Sequence, residues 1–400
     1  MNQSICGIDA ASTAARVAIV NSAGAIQQEF DVPASRTGED QLLSALPAGC
    51  IVIIESTGRY HARWARRLCR AGYRVYLING LLAKRMATGK NALRENKTDP
   101  IDARHLAQLG RLHLDDFRDC LFAEHPAVRR LLELCQVRSS QRTMLTQALS
   151  LAHHYLFSML PEAEALGVSF AQNQPFVDLF LKIDSLARLR AMRLPTIQKH
   201  LGAKADVFAQ MLRAPLNAET MFDAYLPALQ AQLRLIDSLN RLLKELYGHI
   251  REAVKLSGRQ NLVELARTIP GFGEKSTPAI IACLPASWHQ WGSNRITATK
   301  LQAFFGFDPR VRSSGKWVGQ VKMTKRGIAL ARTALYQASF CALRTDVDLH
   351  ATYAAQRAAG KHHDVAISHV MRRQLRRLVA VLKSGTPFVE HQSPALARCA

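Results

Sequence analysis

From Cys50 to Ile54 the sequence reads Cys-Ile-Val-Ile-Ile, and the next residue is Glu55. An unbroken apolar run without polar alternation is the pattern of a strand covered on both faces, which means a parallel sheet with helices above and below it. A carboxylate directly after such a run is costly near a core unless it binds or pairs with something. The flanking segments agree with an α/β layer fold. Ser4 to Ile8, Ala15 to Val20 and Ala25 to Phe30 read as an antiparallel meander, with Asn21-Ser-Ala-Gly24 as a turn and Asp9 ending the first strand. His61 to Ala71 reads as a helix, Tyr73 to Ile78 as another buried strand and Asp99 to Leu109 as a further helix.

From about Pro126 to Leu256 the pattern is helical almost throughout, and three domains are expected: 1–125, 126–257 and 258–400. After Pro227, Leu229, Leu233, Ile236, Asn240, Leu243, Tyr247, Ile250 and Val254 recur at spacings of four and three. That is the seam of a coiled coil with Asn240 as its polar register residue, and one helix of an internal bundle fits it equally. Further on, Thr268-Ile-Pro-Gly-Phe-Gly-Glu-Lys-Ser-Thr-Pro-Ala279 has the Gly-x-Gly turn of a helix-hairpin-helix. There Gly271 and Gly273 would let backbone N–H groups hold a phosphate, or would serve a tight turn between two core helices.

Charge narrows the function classes. Lys and Arg number 53 against 31 Asp and Glu, a net charge of +22, which suits a polyanionic partner such as DNA or RNA. No apolar run reaches the roughly 20 residues that span a bilayer, and the opening MNQSICGIDAAS lacks a signal-peptide layout, so a cytosolic protein without a membrane partner is expected. The eight cysteines form no CxxC pair and no Cys/His cluster at zinc spacing, so they read as reduced structural thiols. Between Glu55 and Glu95 there are ten Lys or Arg and no acid, among them Arg59, Arg63, Arg66 and Arg67. From Pro309 to Thr345 there are eight and no acid, among them Lys316, Lys322, Lys325 and Arg326. Arg372 and Arg373 open a basic run on a C-terminal helix. Solvated helix faces would carry the same charges.

Two-metal phosphodiester chemistry needs three or four acidic oxygen ligands converging on Mg²⁺. Asp9 and Glu55 each end a strand, and neighbouring strands would bring both to the edge where α/β sites form. Asp99 and Asp102, three apart on one helix, share a face and would complete the set. Each has a plainer reading: Asp99 before Pro100 as a helix N-cap, Asp102 as a first-turn acid favoured by the dipole, Asp9 as a turn residue. Four-acid exonucleases begin Asp-x-Glu, whereas residue 11 is Ala. The Gly7-Ile-Asp-Ala-Ala-Ser-Thr13 opening resembles the phosphate loop of actin-like ATPases, but the later glycine-rich nucleotide loops of that fold are missing. A resolvase-like RNase H layout fits better.

GIDAA, IIESTGRY, KTDPIDARHLA, a helical middle, TIPGFGEKSTPAI, GFDPRVRSSG and KRGIALARTALY follow one another in this order. The combination resembles the DEDD insertion-sequence transposases, also called bridge recombinases, over essentially the whole chain. The resemblance implies an α/β plus α architecture: a RuvC-like RNase H-fold catalytic domain, a helical coiled-coil middle and a mostly helical C-terminal transposase domain with a catalytic serine. It implies Asp9, Glu55, Asp99 and Asp102 as Mg²⁺ ligands and Ser314, which precedes Gly315, as nucleophile, with the adjacent Ser313 left open. It implies donor and target DNA as substrates, a structured guide RNA, a homo-oligomer (dimer or tetramer) and a prokaryotic cytosol with nucleoid association.

A hydroxyl attacking a phosphodiester must lose its proton and have the developing charge met, for which Lys316, Lys322, Lys325 and Arg326 are near in sequence. Read without the resemblance, Ser313 and Ser314 are turn residues. The expected activity is RNA-guided cutting and rejoining of DNA strands. A metal-dependent junction endonuclease using water and a non-catalytic nucleic-acid-binding scaffold are the competing readings.

Overall fold

The computed structural model describes residues 3–56, 60–80, 83, 86, 99–122, 125–171, 173–213, 219–285, 297–310, 313–314, 317–318, 322–325 and 327–389. The chain divides into two units, Met1–His125 and Pro126–Ala400.

The first unit is built on a five-stranded sheet in the order β3-β2-β1-β4-β5. β1 (Ile5–Ala10), β2 (Ala14–Val20) and β3 (Ile26–Pro33) form the antiparallel meander expected from the turn signals, while β4 (Ile51–Glu55) runs parallel to β1 and β5 (Arg74–Ile78) parallel to β4. Alternate side chains feed two separate cores. Cys6, Ile8, Val17, Val52 and Ile54 pack with Leu42 of α1 (Arg36–Ala45) and with Trp64, Ala65 and Leu68 of α2 (His61–Arg70). The opposite rows, including Ile5, Ile51, Ile53, Tyr76 and Ile78, pack with Leu106, Ala107 and Leu109 of α3 (Asp99–His113). This two-sided cover is why the run before Glu55 holds no polar residue.

α3 lies directly on the sheet because two glycines remove the side chains in its way. A Cβ at Gly7 would stand 2.1 Å from the carbonyl oxygen of Ala103, and one at Gly110 would stand 2.5 Å from Ile53 Cγ1 and 3.0 Å from Ile5 Cγ2. Ala103 therefore sits over Gly7 and Gly110 over Ile5, so α3 runs antiparallel to β1. α1 is an addition to the sequence reading. Ser35 caps it, its side chain accepting from Gly38 N–H at 3.1 Å.

In the second unit α4 (Pro126–Met159) leads to the short helices α5 (Gln174–Lys182), α6 (Leu186–Arg190), α7 (Leu194–Leu201) and α8 (Ala205–Arg213), and the chain returns along α9 (Glu219–Leu256). Leu131 and Cys135, early in α4, share a core with Ile250 and Val254, late in α9. Leu156 and Met159 share another with Leu226 and Leu229. The two long helices are thus antiparallel along their length, with a separate core at each end. α9 begins before Pro227, which lies inside the helix rather than opening it. Asn240 is exposed, and Leu239 and Leu246 are buried where the heptad reading put Asn240 and Tyr247. A straight helix of about 3.6 residues per turn drifts away from a strict seven-residue repeat, and that moves the buried row by one position.

The core that holds Leu131 and Ile250 also takes in α10 (Gln260–Ala266), α11 (Thr277–Ala282), α12 (Ala298–Phe305), α13 (Ala329–Ala342) and part of α15 (His363–Ser384), while α14 (Val347–Ala358) packs on α15 through Leu349 and Ile367. Residues on both sides of position 257 therefore contribute to one core. Two short antiparallel pairs join α12 to α13: β6 (Pro309–Arg310) with β9 (Lys322–Met323), and β7 (Ser313–Ser314) with β8 (Trp317–Val318). Among the described residues no helix is long and apolar enough to cross a membrane.

Candidate active site

The register Ile8↔Ile54 between β1 and β4 makes Asp9 and Glu55 the next residues on adjacent parallel strands. Neighbouring strands lie about 4.8 Å apart, so the two backbones present these acids side by side at the carboxyl edge of the sheet. Both belong to the rows that face α3, Ile5-Gly7-Asp9 and Ile51-Ile53-Glu55, and both are half-buried. Asp102 immediately precedes Ala103, the residue seated on Gly7. Because α3 runs against β1, its first turn reaches the edge where Asp9 and Glu55 end. Asp99 opens that helix, and its side chain lies outside the described residues.

The setting around these acids is specific. Arg16, the cross-strand partner of Asp9, bonds Asp31 at 2.9 Å and approaches Glu29 at 3.6 Å. Glu29 in turn takes a two-pronged contact from Arg104 of α3, and that hydrogen bond holds its carboxyl below the usual range. These pairs fasten α3 to β3 and leave Arg16 engaged on its β3 side. Gly80 leaves room for Glu55: a Cβ at that position would enter the space of its carboxylate. The donor chemistry, carboxylate oxygen throughout, fits a hard divalent cation. Among the described residues, however, no three His, Cys, Asp or Glu side chains stand close enough to hold an ion.

Ser313 and Ser314 occupy β7, paired through Ser313↔Val318 and Ser314↔Trp317. The register makes Ser314 the last described residue of β7, held in a paired strand segment. Of the basic residues expected near it, Lys322 is in β9 and Lys325 is exposed, with φ 54° and its N–H bonded to Gly306 O at 2.9 Å. Lys316 and Arg326 lie outside the described residues, as does Arg59. Ser314 and the acidic edge belong to different units of the chain.

Other predicted nucleic-acid contacts have structural partners. Arg63 bonds Glu39 and, at 2.7 Å, Ala34 O, and Arg67 bonds Asp40 at 2.8 Å, which ties α2 to α1. Arg66 is half-buried on the same helix. Arg373 donates to Thr352 Oγ1 at 2.6 Å, joining α15 to α14, and Arg372 is half-buried beside it. Gly271, at φ 84°, packs its backbone against Ala338 of α13, and the Gly273 N–H is bonded within the turn to Gly271 O at 3.0 Å. The sequence reading passed over Gly80, whose only signal is a glycine two residues after a strand.

Comparison with known proteins follows the same division of motifs. Residues 6–161 match the IS110 DEDD family profile described as Transposase, and residues 263–354 match the profile described as Transposase IS116/IS110/IS902 family. The chain is 24% identical over 336 residues to the insertion element IS110 uncharacterized 43.6 kDa protein of Streptomyces coelicolor, covering 81% of this chain and 79% of that one. It is 26% identical over 337 residues to the insertion element IS900 uncharacterized 42 kDa protein of Mycobacterium paratuberculosis, covering 80% and 79%. With these two family matches following one another along the chain and insertion-element relatives covering four fifths of it, the chain belongs to the IS110-type DEDD transposases.

Proposed function

We propose that this transposase is an RNA-guided DNA recombinase that cuts and rejoins strands with a serine nucleophile and a Mg²⁺-bound acidic site. One observation carries the reading. Asp9 and Glu55 are consecutive across β1 and β4, on the sheet face where the first turn of α3 supplies Asp102. A meander followed by parallel strands, with carboxylates at the edge of β1 and β4, supports a RuvC-like RNase H domain. Asp9, Glu55, Asp99 and Asp102 would hold the metal, which when bound stabilises charge on the phosphate oxygens. Ser314 would form an Oγ–P bond as a backbone P–O bond breaks, and the hydroxyl proton would pass through solvent to the departing oxygen, which leaves as a free hydroxyl. Lys322 and Lys325 would add positive charge close by in sequence.

The net charge of +22 accommodates both DNA and a structured guide RNA. Homo-oligomer formation is supported by an exposed apolar stripe on the long helix pair. Val137, Met144 and Leu151 of α4 recur every seventh residue, as do Leu235 and Leu242 of α9, and all five are at least 37% exposed. That spacing suits a coiled-coil contact with a second copy. The test sets Asp9→Ala, Glu55→Gln and Ser314→Ala beside the Ser313→Ala/Ser314→Ala double variant in a strand-joining assay on DNA, with the copurifying RNA sequenced. Loss of joining in the first three and a homogeneous structured RNA are expected. Undiminished joining by the double serine variant would leave the water-dependent nuclease as the reading.

A further inference from the structure

On the helical unit a cleft of about 1310 Å³ lies between α4, α9, α13 and the turn joining α10 to α11. It is larger than the roughly 300–1,000 Å³ of small-molecule sites. Its walls present Arg138 and Arg142, one turn apart on α4, Lys244 on α9, and Arg267 and Lys275 in the turn, against the single acid Glu274. Elsewhere arginines are matched with carboxylates: Arg67 with Asp40, Arg188 with Asp184, Arg241 with Asp237, Arg377 with Asp346. None of the five cleft cations makes an ion pair among the described residues. Like charges gathered around one concavity repel one another and focus a positive potential into it.

One side chain in particular is held in the cleft without a counter-ion among the described residues. Arg138 is half-buried and donates to the carbonyl oxygen of Lys275 at 3.2 Å instead of to a carboxylate, and burial, followed by the neighbouring charge of Arg142, lowers its pKa. The Tyr247 hydroxyl is buried beside the Glu274 carboxylate. Burial, then hydrogen bonding to Glu274 and the charge of that carboxylate, push its pKa up to about 12, so it keeps its proton at neutral pH. The Arg251 guanidinium lies 5.0 Å above its ring.

We propose that this cleft seats the phosphate backbone of a nucleic-acid strand, with Arg138, Arg142, Lys244, Arg267 and Lys275 as phosphate contacts. It is a site apart from the acidic edge, and it rests on the proposed function only in taking nucleic acid as the polyanion. Contacts of this kind position a strand without reading its sequence. The cations come from segments more than a hundred residues apart, so they converge only in the folded unit.

The test uses the full-length protein in EDTA, so that it is independent of any metal, with fluorescence anisotropy on a labelled DNA duplex and a labelled RNA hairpin across a salt series. Arg142→Glu/Lys244→Glu alters exposed side chains. It should weaken binding at least about tenfold and lower the log–log salt slope by roughly 1.4–1.8, at about 0.7–0.9 per phosphate contact. Arg142→Gln/Lys244→Gln, gentler on the fold, should lower the slope by a similar amount. Loss confined to the duplex assigns the strand to DNA, and loss confined to the hairpin assigns it to RNA. Unchanged affinity and slope on both probes overturns the proposal. Arg188→Gln, which removes a cation paired with Asp184 and absent from the cleft lining, serves as the control and should bind as the native chain does.

Discussion

Gly80 and Glu55 meet at the edge of the sheet: a Cβ added at position 80 would lie 2.2 Å from Glu55 Oε1. The clash falls on the far end of a flexible side chain, so the carboxylate moves and the fold stays. Gly80→Ala should leave the melting temperature within a few degrees of the native value. It should lower strand joining by roughly tenfold to a hundredfold, the scale of an ångström-sized displacement at a reacting centre. An active variant with native rates would remove Glu55 from the chemistry.

The two glycines of the turn at 271–273 should behave in opposite ways. Gly271 has φ 84°, and its Cβ would lie 2.1 Å from Ala338 O, so Gly271→Ala combines left-handed strain with a clash against backbone. A loss of at least about 2 kcal/mol is expected in urea unfolding. A Cβ on Gly273 would meet nothing within 4 Å, so Gly273→Ala should change stability by less than about 0.5 kcal/mol. Equal effects at the two positions would contradict the packing described for α13.

Arg259 is buried and spends its guanidinium on the end of α11, donating to Leu284 O at 3.1 Å and Pro285 O at 3.0 Å as well as to Ile281 O. Burial lowers its pKa to about 10, which still leaves it charged at neutral pH. Arg259→Met keeps much of the volume and strands the carbonyls, so a loss of about 3 kcal/mol is expected. Chemical denaturation of the variant beside the native chain measures it.

His153 stacks between Phe157 and Phe170 at centroid distances of 5.8 and 5.3 Å, and its Nε2 accepts the Phe170 N–H at 3.4 Å. Burial lowers its pKa below 6.5, so the folded state favours the neutral ring. The sign follows from linkage: the unfolded chain binds the proton more tightly, so this stabilisation is complete above about pH 6.5 and is lost as pH falls through the unfolded value towards the folded one. His153→Gln keeps an acceptor that does not titrate and should flatten the fall in stability below pH 6.5. Denaturant midpoints at a series of pH values between about 5 and 8 would show it, and an unaltered slope would assign the acid sensitivity elsewhere.

The sheet was legible because its signals are local. Asp9 and Glu55 each follow a run whose apolar pattern allows only a covered strand, and the turn at Asn21 closes the meander. α1 was not legible, since a helix that buries little beyond Gly38 and Leu42 leaves almost no periodic stripe. Asn240 misled because a heptad assumes supercoiled helices, while the buried row follows the pitch of a nearly straight one. The basic cleft had no local signal at all. Arg138 and Arg142 look like a solvated face of α4 until α9 and the turn at Gly271 are folded beside them. The motif at 268–279 was readable as a turn, whereas the packing of Gly271 on α13 and the internal bond at Gly273 carry no local signal.

The antiparallel helices α4 and α9 join two cores that touch them at opposite ends. At about 1.5 Å of rise per residue, the 34 residues of α4 make a rod some 50 Å long. Such a rod works as a ruler: hydrogen-bonded rise sets the spacing of its ends, and no loop can relax it. Its phase matters as much as its length, because adding two residues to each helix would turn one core by about half a revolution relative to the other, whereas adding seven would lengthen the rod and keep both ends nearly in phase.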